Sequence, residues 1–156
     1  FCPILLDGDL LREIFKTDTL DEQSYSRNSR INLGLKYGLL CKALSAQGFI
    51  VIIATISMFD EIFSWNRENL ENYLEIYLKV PLDELYLRDH KKIYQRYKDG
   101  KLKNVAGLDL TVDEPLSAET FLDVAHKLMS HPDYYGAILI IDSISLINQG
   151  SYFVIF

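Results

Sequence analysis

Asp7, Asp9 and Arg12 stand close together near the start of the chain, in the run Asp7-Gly8-Asp9-Leu10-Leu11-Arg12. Two carboxylates at i and i+2 can hold a divalent cation or accept a proton. Arg12, three residues further on, can reach an anion in the same place. The run follows an apolar stretch, Ile4-Leu5-Leu6. An apolar stretch closing on acidic residues and a glycine is how a buried parallel strand delivers side chains to a cleft beyond its carboxyl end. Gly8 lets the backbone turn tightly between the carboxylates. The same residues also fit a plain strand-to-helix turn with Asp9 as N-cap, and the motif alone does not separate these readings.

The elements that must position these residues alternate along the chain. Residues 1–7 read as a strand. Residues 24–47 read mostly as a long helix, with Leu33, Tyr37, Leu40 and Leu44 at helical spacing and Gly48 ending it. Residues 49–56 are unbroken, apolar and β-branched, the pattern of a strand covered on both faces. Ser57, with Asp60 three residues later, has the spacing of a capping box opening a helix that runs to about residue 72. Residues 74–80 form the next strand, and Pro81 opens a helix at its first position. Short helices follow over 82–88 and 91–98, around Asp89-His90. Residues 100–115 form a loop, and Ser117 caps a helix over 118–131. Residues 136–141 make an apolar strand, and residues 152–156 are a candidate for a last one. The expectation is one α/β three-layer domain over residues 1–156 with a mainly parallel sheet.

Composition bounds the function. The 156 residues are 49% hydrophobic and 24% charged, which excludes a disordered chain, and suffice for one domain with a real core. A net charge of −6 argues against a broad nucleic-acid surface. No apolar run approaches the roughly 20 residues of a membrane span. Cys2 and Cys41 are too few for a disulfide framework or a Cys-x-x-Cys metal site, and read as reduced core thiols of a cytoplasmic protein. His90, His126 and His131 lack metal-ligand spacing. The chain starts at Phe1, within the first strand, which reads as an N-terminally incomplete domain.

Several short motifs, in order, carry a resemblance. These are Asp7-Gly8-Asp9-x-x-Arg12, Arg30 and Gly38 in the long helix, Gly48 with the apolar strand and Ile56-Ser57, Pro81-Leu82, Arg88-Asp89-x-Lys91-x-x-Tyr94, Gly100-x-x-Lys103-x-x-Gly107-x-Asp109, and Glu114-Pro115. Over roughly residues 4–115 the chain resembles the adenylylsulfate kinase family of P-loop nucleotide kinases. The resemblance implies transfer of the γ-phosphoryl of ATP, with Mg2+, to the ribose 3′-hydroxyl of a small-molecule nucleotide. It implies that Asp9 orients the acceptor hydroxyl and that Asp7 holds magnesium through water. It implies that Arg12, Arg30, Ile56, Ser57 and Lys103 bind the acceptor. Arg88, Asp89, Tyr94 and Asp109 then belong to a lid, with residues 100–115 as its loop, and Lys91 neutralises charge as the lid closes. The expected partner is the nucleotide, with no nucleic acid and no membrane; a homodimer is left open.

Each residue also has a plainer role. Arg30 can solvate a helix face, Arg88-Asp89 can be a surface ion pair, Lys103 can be solvated, and Asp113-Glu114 can be a turn. Departures from the family bear on the acceptor. The family's helix Asn and a following Arg fall at Leu33 and Lys36, the Pro after Ile-Ser is Met58, and two arginines fall at Asp60 and Phe63, with Arg67 near enough to reach back. The aromatic that stacks on the acceptor's adenine falls at Val105. The segment Ser64-Trp65-Asn66-Arg67-Glu68-Asn69 resembles a branch acting on a different activated nucleotide, for example a cytidine diphosphate derivative. No G-x-x-x-x-G-K-[ST] occurs in the sequence. The family's strand for that loop lies between those matching residues 49–56 and 74–80, so that slot is expected to be filled from upstream of Phe1, with residues 136–141 and 152–156 as alternative occupants. The other functional reading is a degenerate, non-catalytic nucleotide-binding or interaction module. Residues 136–156 match nothing in the family.

Overall fold

The computed structural model describes residues 3–15, 22–77, 81–89, 91–116 and 138–142. Four parallel strands form one sheet in the order β1-β2-β4-β3. They are β1 (Ile4–Asp7), β2 (Val51–Thr55), β3 (Tyr73–Tyr77) and β4 (Ile138–Asp142). Ile4 pairs with Val51 and Asp7 with Ala54, so β1 and β2 end level with each other. The helices are α1 (Gly8–Ile14), α2 (Arg27–Ser45), α3 (Asp60–Asn69), α4 (Leu82–Arg88) and α5 (Ile93–Lys98), with a 3-10 turn over Glu22–Tyr25. This is the expected α/β architecture with a parallel sheet.

The slot between β2 and β3 is filled by β4, which pairs with both. Within these 156 residues the alternative occupant, the apolar run expected over residues 136–141, takes the slot. The physical demand was for any strand able to satisfy two rows of buried N–H and C=O groups, and the apolar run near residue 138 meets it. β1 differs from expectation too. It is an edge strand whose residues alternate between half-buried and exposed, with Leu5 46% exposed. An apolar run shows a preference for sheet, and it does not fix how many neighbours the strand acquires.

The core sits between α2 and the sheet. Leu33, Tyr37 and Cys41 of α2, each four residues apart, pack with Leu11, Val51, Ile53 and Leu70. Leu40 and Leu44 lie partly buried against the same cluster. Truncating a fully buried member such as Ile53 to Ala costs about 2–5 kcal/mol. α2 crosses α3 at close range: a Cβ at Gly38 would stand 2.5 Å from the Trp65 ring. A second cluster joins Phe59 and Ile62 of the α3 start to Leu110, with Ile31 and Val112 packed on it.

Local starts and stops refine the sequence reading. Gly48, at φ +85°, follows the end of α2. Ser26 caps α2 by accepting from the N–H of Ser29. Pro81 is the N-cap of α4 instead of its first helical residue. The helix over 118–131 and the strand over 152–156 lie outside the described residues. Among the described residues, no helix is long and apolar enough to cross a membrane.

Candidate functional site

The carboxyl ends of β1 and β2 open on a cleft of about 460 Å³. Asp7, the last residue of β1, caps α1: its Oδ1 accepts from the N–H groups of Asp9 and Leu10, both at 2.9 Å. Asp9 is therefore in the first turn of α1 and is not its cap. The turn lies hard against β2. A Cβ at Gly8 would stand 2.8 Å from the Ala54 carbonyl oxygen and 3.2 Å from Cγ2 of Thr55. Tyr37 donates from its hydroxyl to the Gly8 carbonyl at 3.2 Å. Burial pushes that phenol up to about 12, so it stays a donor at neutral pH. Across the cleft mouth, Lys91 Nζ donates to Asp9 Oδ2.

The opposite wall is basic and aromatic. The Arg12 guanidinium lies 4.6 Å from the Tyr25 ring centroid and that of Arg30 5.4 Å. Arg30 donates from Nε to the Tyr25 carbonyl at 2.9 Å and from Nη2 to the Asn104 carbonyl at 3.0 Å. Among the described residues it makes no ion pair. Burial, then the nearby Arg12 charge, pulls its guanidinium down to about 10, still charged at neutral pH. Asp109 shapes the loop behind this wall. Its carboxylate accepts from the N–H groups of Asn104 at 2.8 Å and Val105 at 2.7 Å. Asn104 adopts φ +58°, a left-handed conformation that Asn tolerates.

Of the residues singled out from sequence, Asp7, Asp9, Arg12, Arg30, Ile56, Lys91, Tyr94 and Lys103 line this one cleft, as does Val105. Ser57 does not line it. Its hydroxyl is buried and bonded to the Thr55 hydroxyl at 2.8 Å. Nor does Ser57 cap α3, whose N-cap is Phe59. The N–H of Asp60 is met instead by Asp113 Oδ2, so a distant carboxylate takes the place of the capping box. Arg88 pairs with Glu84 on the surface of α4 at 3.5 Å. Asp89 accepts from the N–H of Gln95 at 2.9 Å, and its buried Oδ1 has no partner among the described residues. Asp109 acts from behind the wall. Arg67 does not reach back to the cleft; it bonds Glu75 at 2.7 Å. Sequence reasoning passed over Tyr25, Arg96 and Asn104 and took Tyr37 as a core position only; all four also line the cleft. The signal for Tyr25 was its place directly before the cap of α2, one helical turn and a half from Arg30.

Among the described residues no group of three or more His, Cys, Asp or Glu could hold a metal. Magnesium needs fewer protein ligands, since it keeps waters and takes one or two carboxylates beside phosphates. Asp7 and Asp9 at the cleft mouth fit that requirement, Asp7 with one oxygen free of its capping role.

Residues 2–123 match the family described as adenylylsulphate kinase. The chain belongs to the adenylylsulphate kinase family. It is 44% identical over 112 residues to a cytidine diphosphoramidate kinase of Campylobacter jejuni, covering 72% of this chain and 63% of that protein. It is 32% identical over 131 residues to an adenylyl-sulfate kinase of Pseudomonas aeruginosa, covering 83% and 63%. An adenylyl-sulfate kinase of Picosynechococcus is 30% identical over 115 residues, covering 74% and 63%. The matched part of the chain thus spans less than two thirds of each of these kinases. The family match reaches past Asp109 to the edge of the described loop and includes every residue named in the cleft.

Proposed function

We propose that the cleft is the acceptor site of an ATP-dependent nucleotide kinase, and that its acceptor is an activated cytidine nucleotide in preference to adenylylsulfate. The observation that carries this reading is Arg30. A part-buried guanidinium with backbone carbonyls for partners, beside a second guanidinium at Arg12, is costly until an anion arrives. A phosphate of the acceptor supplies that anion. The acceptor's 3′-oxygen attacks the γ-phosphorus, the bond to the β–γ bridging oxygen breaks, and Asp9 takes the hydroxyl proton. Lys91, already at Asp9, stands where negative charge develops. Asp7 would hold magnesium through water, and the ion would supply further charge neutralisation. Tyr94 and Lys103 complete the walls, while Ile56 lines the floor.

The acceptor preference rests on Val105 and on the cytidine diphosphoramidate kinase similarity. Base stacking on an aromatic is worth roughly 1–3 kcal/mol, and Val105 offers none. The test is kcat/KM over a panel of nucleotide acceptors, measured on a longer form of the protein that proves active. A clear preference for adenylylsulfate refutes the cytidine reading and leaves the kinase reading standing. A second reading, a nucleotide-binding module without catalysis, draws on the strand between β2 and β3 being β4 and on the lack of a G-x-x-x-x-G-K-[ST] in these 156 residues. Release of nucleoside diphosphate by the 156 residues assayed alone would exclude it; the expected result is none.

A further inference from the structure

The first turn of α2 grips both ends of the loop that walls the cleft. Arg30 holds one end through the Asn104 carbonyl. Arg27, three residues earlier and on the same helix face, holds the other. Its Nη2 lies 2.8 Å from Asp113 Oδ2 and 2.9 Å from Glu61 Oε2, and its guanidinium sits 4.7 Å from the centroid of the buried Phe59 ring. Asp113 is fixed twice more. The same oxygen accepts from the N–H of Asp60 at 3.1 Å, and its own N–H donates to the Met58 carbonyl at 2.9 Å. Neither Arg27 nor Asp113 lines the cleft.

Between the two grips the loop folds onto itself. Leu110 donates to the Val105 carbonyl, and Gly107 donates to Leu110. Leu110 and Val112 pack with Phe59 and Ile62. We propose that Arg27 and Asp113 are positioning residues: a clasp that sets the distance between the Val105–Ala106 wall and Arg30, and so sets how well the cleft grips the nucleoside part of its ligand. This rests on the acceptor reading of the cleft. An isolated surface ion pair would do little, but here one carboxylate meets a guanidinium and a helix N-terminal N–H at once. That arrangement holds the Asp113 carboxyl below the usual carboxylate range, through Arg27 first and Asp60 next.

The clasp separates two binding energies that a general loosening would not. Arg30 and Arg12 grip the phosphate directly, whereas the wall meets the nucleoside. The experiment compares the wild-type chain with Asp113→Asn, which keeps the shape and the Asp60 contact, and with Arg27→Met and Arg27→Lys. The expected result is cytidine diphosphate affinity weakened roughly three- to thirtyfold in Asp113→Asn and Arg27→Met. Inorganic phosphate affinity then stays within about twofold, and Arg27→Lys restores most of the loss. Amide hydrogen exchange at residues 104–110 speeds up in the two weakened variants, while residues 51–55 are unchanged. Equal loss of phosphate and cytidine diphosphate, or unchanged exchange at 104–110, overturns the clasp. If the wild-type chain binds neither ligand, the acceptor reading fails, and the exchange measurement still decides the clasp.

Discussion

On its loop side the cleft is fastened at several points: Arg30 to Asn104, Asp109 to two amides of the wall, and Arg27 with Asp113 at the far end. On the side of α4 and α5 the fastening is lighter. Leu85 and Tyr94 are buried there, but Leu82, Tyr86 and Leu87 are exposed, Leu87 to 81%. The link across the mouth is the Lys91–Asp9 pair, whose side chains are 47% and 59% exposed. An ion pair that open contributes little to stability and separates readily. The difference assigns tasks. On the acceptor reading proposed above, the firmly fastened wall meets the ligand, and the lightly held side carries the Lys91 charge. Residues 100–115, expected to be the loop of a lid, are held here by Arg30, Asp109 and the Arg27–Asp113 pair.

Four measurements sharpen or break this contrast. The largest effect is expected at Asp9, in whatever form of the protein proves active: Asp9→Asn should lower kcat by roughly a hundred- to ten-thousandfold if it takes the acceptor's proton. An unchanged kcat would reduce the Lys91–Asp9 contact to a surface pair. Next is Arg30→Ala. It removes a charge-assisted contact of about 1.5–3 kcal/mol, so nucleotide affinity measured by calorimetry should fall about ten- to hundredfold. Affinity equal to wild type would mean that the fixed wall does not grip the anion.

Gly8→Ala comes third. The new methyl would press on the Ala54 carbonyl at 2.8 Å, and overpacking at such a point costs about 1–3 kcal/mol, read as a lower thermal midpoint. The smallest is Tyr37→Phe, which loses one hydrogen bond worth about 1 kcal/mol near neutral pH. Its pH dependence is more telling. The folded phenol titrates at about 12 and the unfolded one at its ordinary 10.0. The folded state therefore keeps a proton that the unfolded state gives up, and stability falls as pH rises from 10 to 12. Tyr37→Phe should remove its share of that fall, while Tyr94 and Cys41, each also pushed up to about 12 by burial, keep theirs. Arg30, pulled down to about 10, acts in the opposite sense over the same window, so the comparison is between variant and wild type at each pH. Parallel curves for the two would show that Tyr37 is not buried against the turn.

The sheet and the convergence of residues were legible because they follow from local rules. The apolar, β-branched run at residues 51–55 follows a strand over 4–7 and a long helix, and a right-handed crossover then sets β1 and β2 parallel with their carboxyl ends on one edge. That alone brings Asp9 near Ile56. What was not legible depends on contacts distant in sequence. Ser57-x-x-Asp60 has the spacing of a capping box, yet the hydroxyl finds Thr55 and the helix start finds Asp113, 53 residues away. Tyr37 looked like a core position and is one, but its hydroxyl end also props the Gly8 turn. Arg67 was within range of the cleft by sequence, and the buried Glu75 on β3 outcompetes it. In each case a polar side chain had two partners within reach, and tertiary packing chose.

Placing β4 between β2 and β3 also shapes how the chain must fold. β1 and β2 can pair early, but β3 has no neighbour until residue 138 arrives, because Tyr73 and Val51 both take Ile138 as their partner. Loop closures of that length precede any gain from pairing, which makes sheet completion a slow step dominated by non-local contacts. Until then the facing edges of β2 and β3 carry open N–H and C=O rows beside buried residues such as Val51, Ile53, Leu74 and Ile76. Such edges recruit other strands. For these 156 residues, strand recruitment is therefore easiest in the interval between the formation of β3 and the docking of β4.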